Sequence, residues 1–310
     1  MNKITQAVSM QVYIMFILVV VGYVLTKKNI ISRKGSADIS NILLTIVTPS
    51  VLIRSYQMDI NKDLLFTLGI AFVVSIAIHI IVAVIAKFYF FSIKDEEQKI
   101  LNSFGGFASN CGFMGIPLLS ATLGSQGVFF GSAYLAVFNC FVWTYGIHLF
   151  NKGKDGFDAK KLVLNPGIIG TAIAMLLFFF QIRLPEAIGN VVGYVADLNT
   201  PLAMLLLGSF LGRVNLISTF KQPKIYAVSF LRLIISPAIA IIILALVNAD
   251  VTMSLAVIIA AACPIAAIGA IFAEKYDMDA GYCSQIASIS TVYSLITIPL
   301  MVYIATIFIK

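Results

Sequence analysis

The sequence predicts an all-α membrane protein with ten transmembrane helices, arranged as two inverted five-helix repeats. Three observations predict this fold class. Hydrophobic residues make up 60% of the 310 residues and charged residues only 11%, whereas a soluble domain carries roughly a quarter charged residues. Apolar runs that are long enough to span a bilayer recur along the chain. Basic residues are also distributed unevenly between alternate connections.

Ten apolar segments are separated by short polar connections. All ten reach the length of about 20 residues that spans a hydrocarbon core. The second, fourth, seventh and ninth segments are diluted by Asn, Thr, Ser, Gly or Pro, so we expect them not to face lipid alone. The predicted segments are 7–26, 38–57, 64–91, 99–121, 127–150, 162–182, 188–211, 223–247, 252–274 and 283–309.

The lysines and arginines support this count and predict an orientation. If the odd-numbered connections face the cytoplasm, 16 of the 21 basic residues lie on that side and 5 on the other. The positive-inside rule then places both termini outside the cell. A multi-pass protein of the plasma membrane is therefore expected. The net charge of +7 is assigned to the connections, and no nucleic-acid partner is expected.

A polar stretch at residues 151–161 divides the chain into two halves. We predict a first five-helix repeat at 1–150, a cytoplasmic linker at 151–161 and a second repeat at 162–310. Because five is odd, the second half enters the membrane from the opposite side, which is a common transporter architecture. Prolines recur at matched positions of the two halves: Thr48-Pro49 with Thr200-Pro201 in each second helix, and Pro117 with Pro264 in each fourth helix.

The prolines of the fourth and ninth helices predict two broken helices that meet near the middle of the membrane. Proline lacks an N–H and clashes with the carbonyl four residues back, so Pro117 frees the carbonyl of Phe113 and Pro264 that of Ala260. Half-helix N-termini each carry about half a positive charge and attract anions. We expect unwinding at Gly112 and Gly115. The predicted substrate-binding residues are Asn110, Cys111, Gly112, Phe113, Gly115, Pro117, Pro264, Ile265 and Gly269.

Other polar residues are secondary candidates. Asp197 is the only acid placed near membrane depth, where it would carry a proton or cation; the alternative is a helix N-cap. Arg232 is expected to extend to the cytoplasmic surface, and the alternative is a counter-ion for an anion. Six further positions would face a cavity or make helix–helix contacts: Asn41, Pro49, Asn139, Tyr145, Pro201 and Gln285.

Enzyme and metal signatures are missing from the sequence. The four cysteines form no CxxC pair or Cys/His cluster, so neither a metal site nor a cofactor is predicted. There is also no HExxH, Gly-rich phosphate loop or GxSxG motif. A transporter is favoured over an enzyme on these grounds.

Short motifs in order along nearly the whole chain resemble the auxin efflux carrier family, in particular its bacterial members. Each motif alone is weakly specific, but their order and spacing are fairly specific. The motifs are Gly22-Tyr23, Asn41 with Pro49, NCGFMGIPLL from Asn110, Asn165-Pro166, Thr200-Pro201-Leu202 with Gly208, and PIAAIGAIFAEKY from Pro264 to Tyr276.

The resemblance implies a carrier for a small organic anion such as malate, malonate or indole acetate. It implies that the broken helices four and nine cross near the substrate, and that Asn110 and the backbone around Pro117 and Pro264 contact the substrate carboxylate. Helices four and nine with their neighbours would form a transport unit, and helices one, two, six and seven a scaffold. A homodimer is expected from fold analogy. The short linker differs from the long hydrophilic loop of many plant members, so plant-type phosphoregulation is not expected.

The predicted function is therefore secondary transport of an organic anion by alternating access, with the lipid bilayer and that anion as partners. One alternative is a sodium-coupled symporter of the bile-acid-transporter type, which would need cation ligands near the crossing. A second alternative, from another class, is a membrane sensor or enzyme that transports nothing.

Overall fold

The computed structural model describes residues 3–152 and 164–309, and these residues form helices joined by short connections, with no β-strand among them. The all-α fold class is thus confirmed for the described part of the chain. The helices are α1 (Lys3–Lys27), α2 (Arg33–Ser55), α3 (Lys62–Tyr89), α4 (Glu96–Phe107), α5 (111–123), α6 (125–150), α7 (Pro166–Phe179), α8 (Glu186–Arg213), α9 (Leu216–Phe220), α10 (Pro223–Val247), α11 (Val251–Ala262), α12 (Ile268–Lys275) and α13 (Ala280–Phe308).

Seven helical stretches of the described chain are long and apolar enough to cross a membrane. They are α1, α2, α3, the continuous stretch Cys111–Phe150, α8, α10 and α13. Two shorter apolar helices, α7 and α11, have 14 and 12 residues. The chain is therefore a multi-pass membrane protein, as predicted. Its arrangement as ten spans in two inverted repeats stays a prediction.

The stretch Cys111–Phe150 turns back on itself at Gly124. This glycine has φ 63° and ψ −155°, a backbone conformation that is not helical. A Cβ placed on Gly131 would lie 2.3 Å from Cδ1 of Leu119, although residues twelve apart on a straight helix are about 18 Å apart. The stretch therefore consists of two helices, α5 and α6, that fold against each other.

Side-chain caps define where several helices begin. Each cap accepts a hydrogen bond from an N–H of the first turn that would otherwise be unsatisfied. The capping residues are Ser32 for α2, Asn61 for α3, Asp95 for α4, Asn165 for α7, Asp250 for α11 and Asp279 for α13.

Glycines let α1 and α8 pack almost backbone to backbone. A Cβ on Gly22 would lie 2.3 Å from the carbonyl oxygen of Leu205, and one on Gly208 would lie 2.1 Å from that of Val19. In lipid there is little hydrophobic drive between helices, so such close van der Waals contact is a main source of their association. The pair α1 and α8 is therefore a firmly packed unit.

Wide π-helical turns precede three of the prolines within helices. Each turn ends two residues before its proline, so the extra residue in the turn makes room for the proline ring and its missing N–H. The turns and their prolines are Leu43–Val47 with Pro49, Cys111–Gly115 with Pro117, and Leu231–Ile235 with Pro237.

The predicted linker at 151–161 falls mainly outside the described residues, which stop at residue 152 and resume at residue 164. The division into repeats at 1–150 and 162–310 accordingly stays a prediction.

Candidate functional site

Two interrupted helices meet in what we call the crossing, defined as residues 108–110 between α4 and α5 together with residues 263–267 between α11 and α12. Ser109 and Ile265 pair there as an isolated antiparallel bridge. The N–H of Asn110 donates to the carbonyl of Pro264 at 2.7 Å, and the N–H of Ala266 donates to the carbonyl of Ala108 at 2.9 Å. The two segments thus satisfy each other's backbone groups.

Serine side chains complete the hydrogen bonding of the crossing. Pro264 frees the carbonyl of Ala260, as predicted, and Ser109 Oγ donates to that carbonyl at 2.7 Å. The N–H of Ile265 donates to Ser290 Oγ at 3.0 Å, which links the crossing to α13. Freed backbone groups inside a bilayer need such partners. These backbone groups of the crossing are consequently paired.

The first helix is interrupted earlier than predicted. The expected unwinding at Gly112 and Gly115 is wrong, because both glycines lie in a π-helical turn and the non-helical residues are 108–110. The interruption lies where the second segment supplies backbone partners. Gly115 instead allows close approach, since a Cβ there would lie 3.3 Å from Sγ of Cys263.

Asn110 precedes α5 and has an unpartnered amide. Its side chain is 4% exposed, makes no capping bond, and its Nδ2 has no hydrogen-bond partner. A buried donor without a partner costs about 1–3 kcal/mol, so such groups require an explanation. An oxygen of a bound ligand at the N-terminus of α5 would supply the missing acceptor.

The remaining predicted substrate-binding residues lie in or next to the crossing. Cys111 and Pro117 are buried, while Gly112 and Phe113 are half-buried. Gly269 is in the first turn of α12, where a Cβ would lie 3.0 Å from the ring of Phe104. The structure therefore brings together the residues that were predicted from 110–117 and 264–269.

Arg232 is the main site feature that sequence reasoning misplaced. The expectation that it extends to the cytoplasmic surface is wrong, because the side chain is 0% exposed. Its Nη1 donates to the carbonyl of Phe107 at 2.8 Å, and its Nη2 donates to that of Ala261. These carbonyls belong to the last turns of α4 and α11. Arg232 therefore caps the C-terminal ends of the helices that lead into the crossing.

Asp197 lies in an ion pair rather than in the crossing. Its Oδ1 accepts a hydrogen bond from Arg54 Nη1 at 2.7 Å, and its side chain is 68% exposed. The N-cap alternative is wrong, since this carboxylate bonds a guanidinium. The pair links α2 to α8. A coupling role for Asp197 stays a prediction.

The six predicted cavity positions are dispersed. The ring of Tyr145 lies 5.4 Å from that of Phe107 at the end of α4, so it borders the crossing. The other five lie elsewhere: Asn41 is exposed, Pro49 packs against Gly170, Asn139 packs against Gly167, Pro201 is half-buried in α8, and Gln285 accepts a hydrogen bond from Gln222. Helix–helix contact accounts for Pro49 and Asn139, and a hydrogen bond to the connection between α9 and α10 accounts for Gln285.

Asn199 is a candidate that sequence reasoning missed. It is 3% exposed, and neither atom of its amide has a hydrogen-bond partner. Its helix, α8, packs against the turn Cys111–Gly115 at the start of α5. The available signal was an amide two residues before Pro201, inside an apolar segment. A small, mainly apolar cavity lies near that turn, lined by Val12, Met15, Phe16, Val19, Met114, Met204, Thr291 and Leu295.

Comparisons with known proteins show similarity to membrane transporters. An uncharacterized transporter of Methanocaldococcus jannaschii is 25% identical over 306 residues, which cover 93% of this chain and 96% of that protein. An uncharacterized transporter of Methanothermobacter thermautotrophicus is 25% identical over 295 residues, covering 92% and 94%. The model of a membrane transport protein family matches residues 7–161 and 155–302. The chain therefore belongs to this membrane transport family, the auxin efflux carrier family that its motifs resemble.

Proposed function

We propose that the protein is a secondary transporter that moves a small organic carboxylate by alternating access, with its substrate site at the crossing. The observation that carries this proposal is the buried, unpartnered amide nitrogen of Asn110 at the N-terminus of α5. A carboxylate oxygen is the acceptor that such a donor lacks.

The electrostatics of the crossing support an anion. The helices α5 and α12 both begin there, and each N-terminus carries about half a positive charge. Residues 108–117 and 263–273 contain no acidic residue. A carboxylate at the crossing would therefore meet two partial positive charges and one amide donor without a competing acid from these segments.

Alternating access requires that one group of helices moves against another. The glycine-mediated packing of α1 on α8 supports their assignment to a scaffold. The bridge between residues 109 and 265 supports movement of the crossing as one body. The small apolar cavity lies between α1, α8, α13 and the start of α5, where its methionine side chains would allow sliding.

The proposal includes the finer architecture and location. We propose ten spans, in which α5 and α6 belong to different spans because of the reversal at Gly124, and in which α4 with α5 and α11 with α12 each form one interrupted span. We propose two inverted repeats, both termini outside the plasma membrane, and a homodimer by fold analogy. Malate, malonate and indole acetate are the substrates to test first.

Replacement of Asn110 by alanine tests the site. We expect Asn110→Ala to raise the KM for carboxylate uptake into proteoliposomes about tenfold or more, because a hydrogen bond to a charged group is worth about 1.5–3 kcal/mol. The matched control is Asn41→Ala, which removes an exposed amide from α2 and should leave uptake unchanged. Unchanged uptake by a well-folded Asn110→Ala variant would refute the site.

The same uptake assay distinguishes the proposed anion carrier from the sodium-coupled symporter. Uptake that persists when N-methylglucamine replaces sodium supports an anion carrier without sodium coupling. Uptake that requires sodium would favour the symporter. If wild-type protein moves none of the three carboxylates under any gradient, the carboxylate proposal fails and the sensor or enzyme alternatives gain support.

A further inference from the structure

Arg232 is a fully buried cation that bonds backbone carbonyls rather than a carboxylate. It lies nine residues after Pro223, so it is roughly 14 Å along α10 from that end, near the middle of the helix. The acidic partners in the ion pairs of the described chain are Asp59, Glu96 and Asp197, and none of them pairs with Arg232. A buried guanidinium stays protonated and needs compensation.

Two helix ends compensate this charge. Arg232 donates to Phe107, the last residue of α4, and to Ala261, the residue before the end of α11. Each helix C-terminus carries about half a negative charge. Two such ends sum to roughly one negative charge, which balances one guanidinium.

This balance leaves the other two helix ends uncompensated. The N-termini of α5 and α12 together carry about one positive charge, and residues 108–117 and 263–273 contain no acid that would cancel it. Without Arg232, the negative ends of α4 and α11 would offset the positive ends of α5 and α12. Arg232 thus changes the crossing from nearly neutral to positive.

The carbonyls that Arg232 binds are groups of the kind that hold metal cations in other carriers. Exposed backbone carbonyls and half-helix C-termini coordinate sodium at the centre of many transporters. Here those oxygens are occupied by the guanidinium. The side chain therefore stands where a cation-coupled carrier would bind its ion.

We propose that Arg232 is a built-in counter-ion that excludes metal cations from the crossing and makes it selective for one carboxylate group. This inference rests on the proposed function and deepens it. In this proposal Arg232 acts through the helix ends that its Nη1 and Nη2 bind, so it is a positioning residue, although its Nε has no hydrogen-bond partner.

The test compares Arg232→Met, Arg232→Lys and a control, Arg183→Met, in purified protein. Arg183 lies in the connection between α7 and α8 and pairs with Asp59 there. Equilibrium binding is measured for labelled malate, malonate and indole acetate, and separately for sodium-22. We expect wild type and Arg183→Met to bind a carboxylate and no sodium. Arg232→Met should bind the carboxylate at least about tenfold more weakly and gain sodium binding, and Arg232→Lys should retain most carboxylate affinity.

Normal carboxylate affinity in a folded Arg232→Met variant would overturn the inference. That result would mean that Arg232 has only a structural role and does not set the charge selectivity of the crossing. If that variant does not fold, thermal unfolding of the wild type decides. We expect the same melting temperature in sodium and N-methylglucamine salts. Specific stabilisation by sodium would show that a cation still binds and would overturn the inference.

The two proposals fail in different ways. Wild-type protein that binds none of the three carboxylates, while Arg232→Met gains sodium binding, contradicts the carboxylate function and leaves cation exclusion by Arg232 standing. Wild-type binding that Arg232→Met retains contradicts only the role of Arg232.

Discussion

The contact between α1 and α8 gives a quantitative prediction for Gly208→Ala. The new Cβ would lie 2.1 Å from the carbonyl oxygen of Val19 and 2.7 Å from the backbone nitrogen of Tyr23. Both clashing atoms belong to the backbone, so rotation of a side chain cannot relieve the clash. Ordinary contact begins at 3.4 Å, so the helices must separate by about 1.3 Å along this line.

The loss of folding stability in Gly208→Ala follows from that separation. Overpacking of a tight contact typically costs about 1–3 kcal/mol, and the separation also weakens the dispersion contacts on both sides of Gly208. We therefore expect the melting temperature in detergent to fall by at least about 2 °C. Transport by folded protein should also decrease if α1 and α8 belong to the scaffold.

The control for this prediction is Gly69→Ala in α3. A Cβ on Gly69 meets no atom within 4 Å, and alanine favours helix by about 0.5–1 kcal/mol over glycine. This variant should therefore be as stable as wild type or slightly more stable. Equal melting temperatures for Gly208→Ala and Gly69→Ala would refute the close-packing argument.

Three further substitutions test other features of the structure. Ser109→Ala removes the donor to the carbonyl of Ala260 and should lower the free energy of unfolding by about 1–3 kcal/mol, measured by thermal melting. Asp197→Asn breaks an exposed pair with Arg54 and should cost no more than about 1 kcal/mol; abolished transport in that stable variant would instead support a coupling role. Gly124→Ala forces a side chain into a conformation that only glycine adopts readily, so it should cost about 1–3 kcal/mol, and an unchanged melting temperature would contradict the observed turn.

The sequence predicted the helices well because long apolar runs and capping residues are local signals. The tenth segment, for example, was predicted at 283–309 and is observed as Ala280–Phe308. Pro264 also predicted the second interruption. A proline in a helix frees the carbonyl four residues before it, and for Pro264 this is the carbonyl of Ala260.

The centre of the site was less predictable because its partners are distant in sequence. The interruption at 108–110 depends on backbone groups of residues 264–266, and Arg232 depends on carbonyls more than 25 residues away in either direction. A pattern within one segment cannot show such pairing. Charge counting also treated Arg232 as a residue of a cytoplasmic connection; its burial leaves 15 of the 21 basic residues on that side, so the bias persists without it.

The backbone bridge at the crossing also has a consequence for biosynthesis. Ser109 and its partner Ile265 are 156 residues apart. At a synthesis rate of about 5–20 residues per second, Ile265 is added roughly 8–30 s after Ser109. During that interval the polar groups of Ala108 and Asn110 lack the partners that they have in the finished protein. Unsatisfied groups cost several kcal/mol each in lipid, so α4 and α5 must stay near water or the insertion machinery until residues 264–266 arrive.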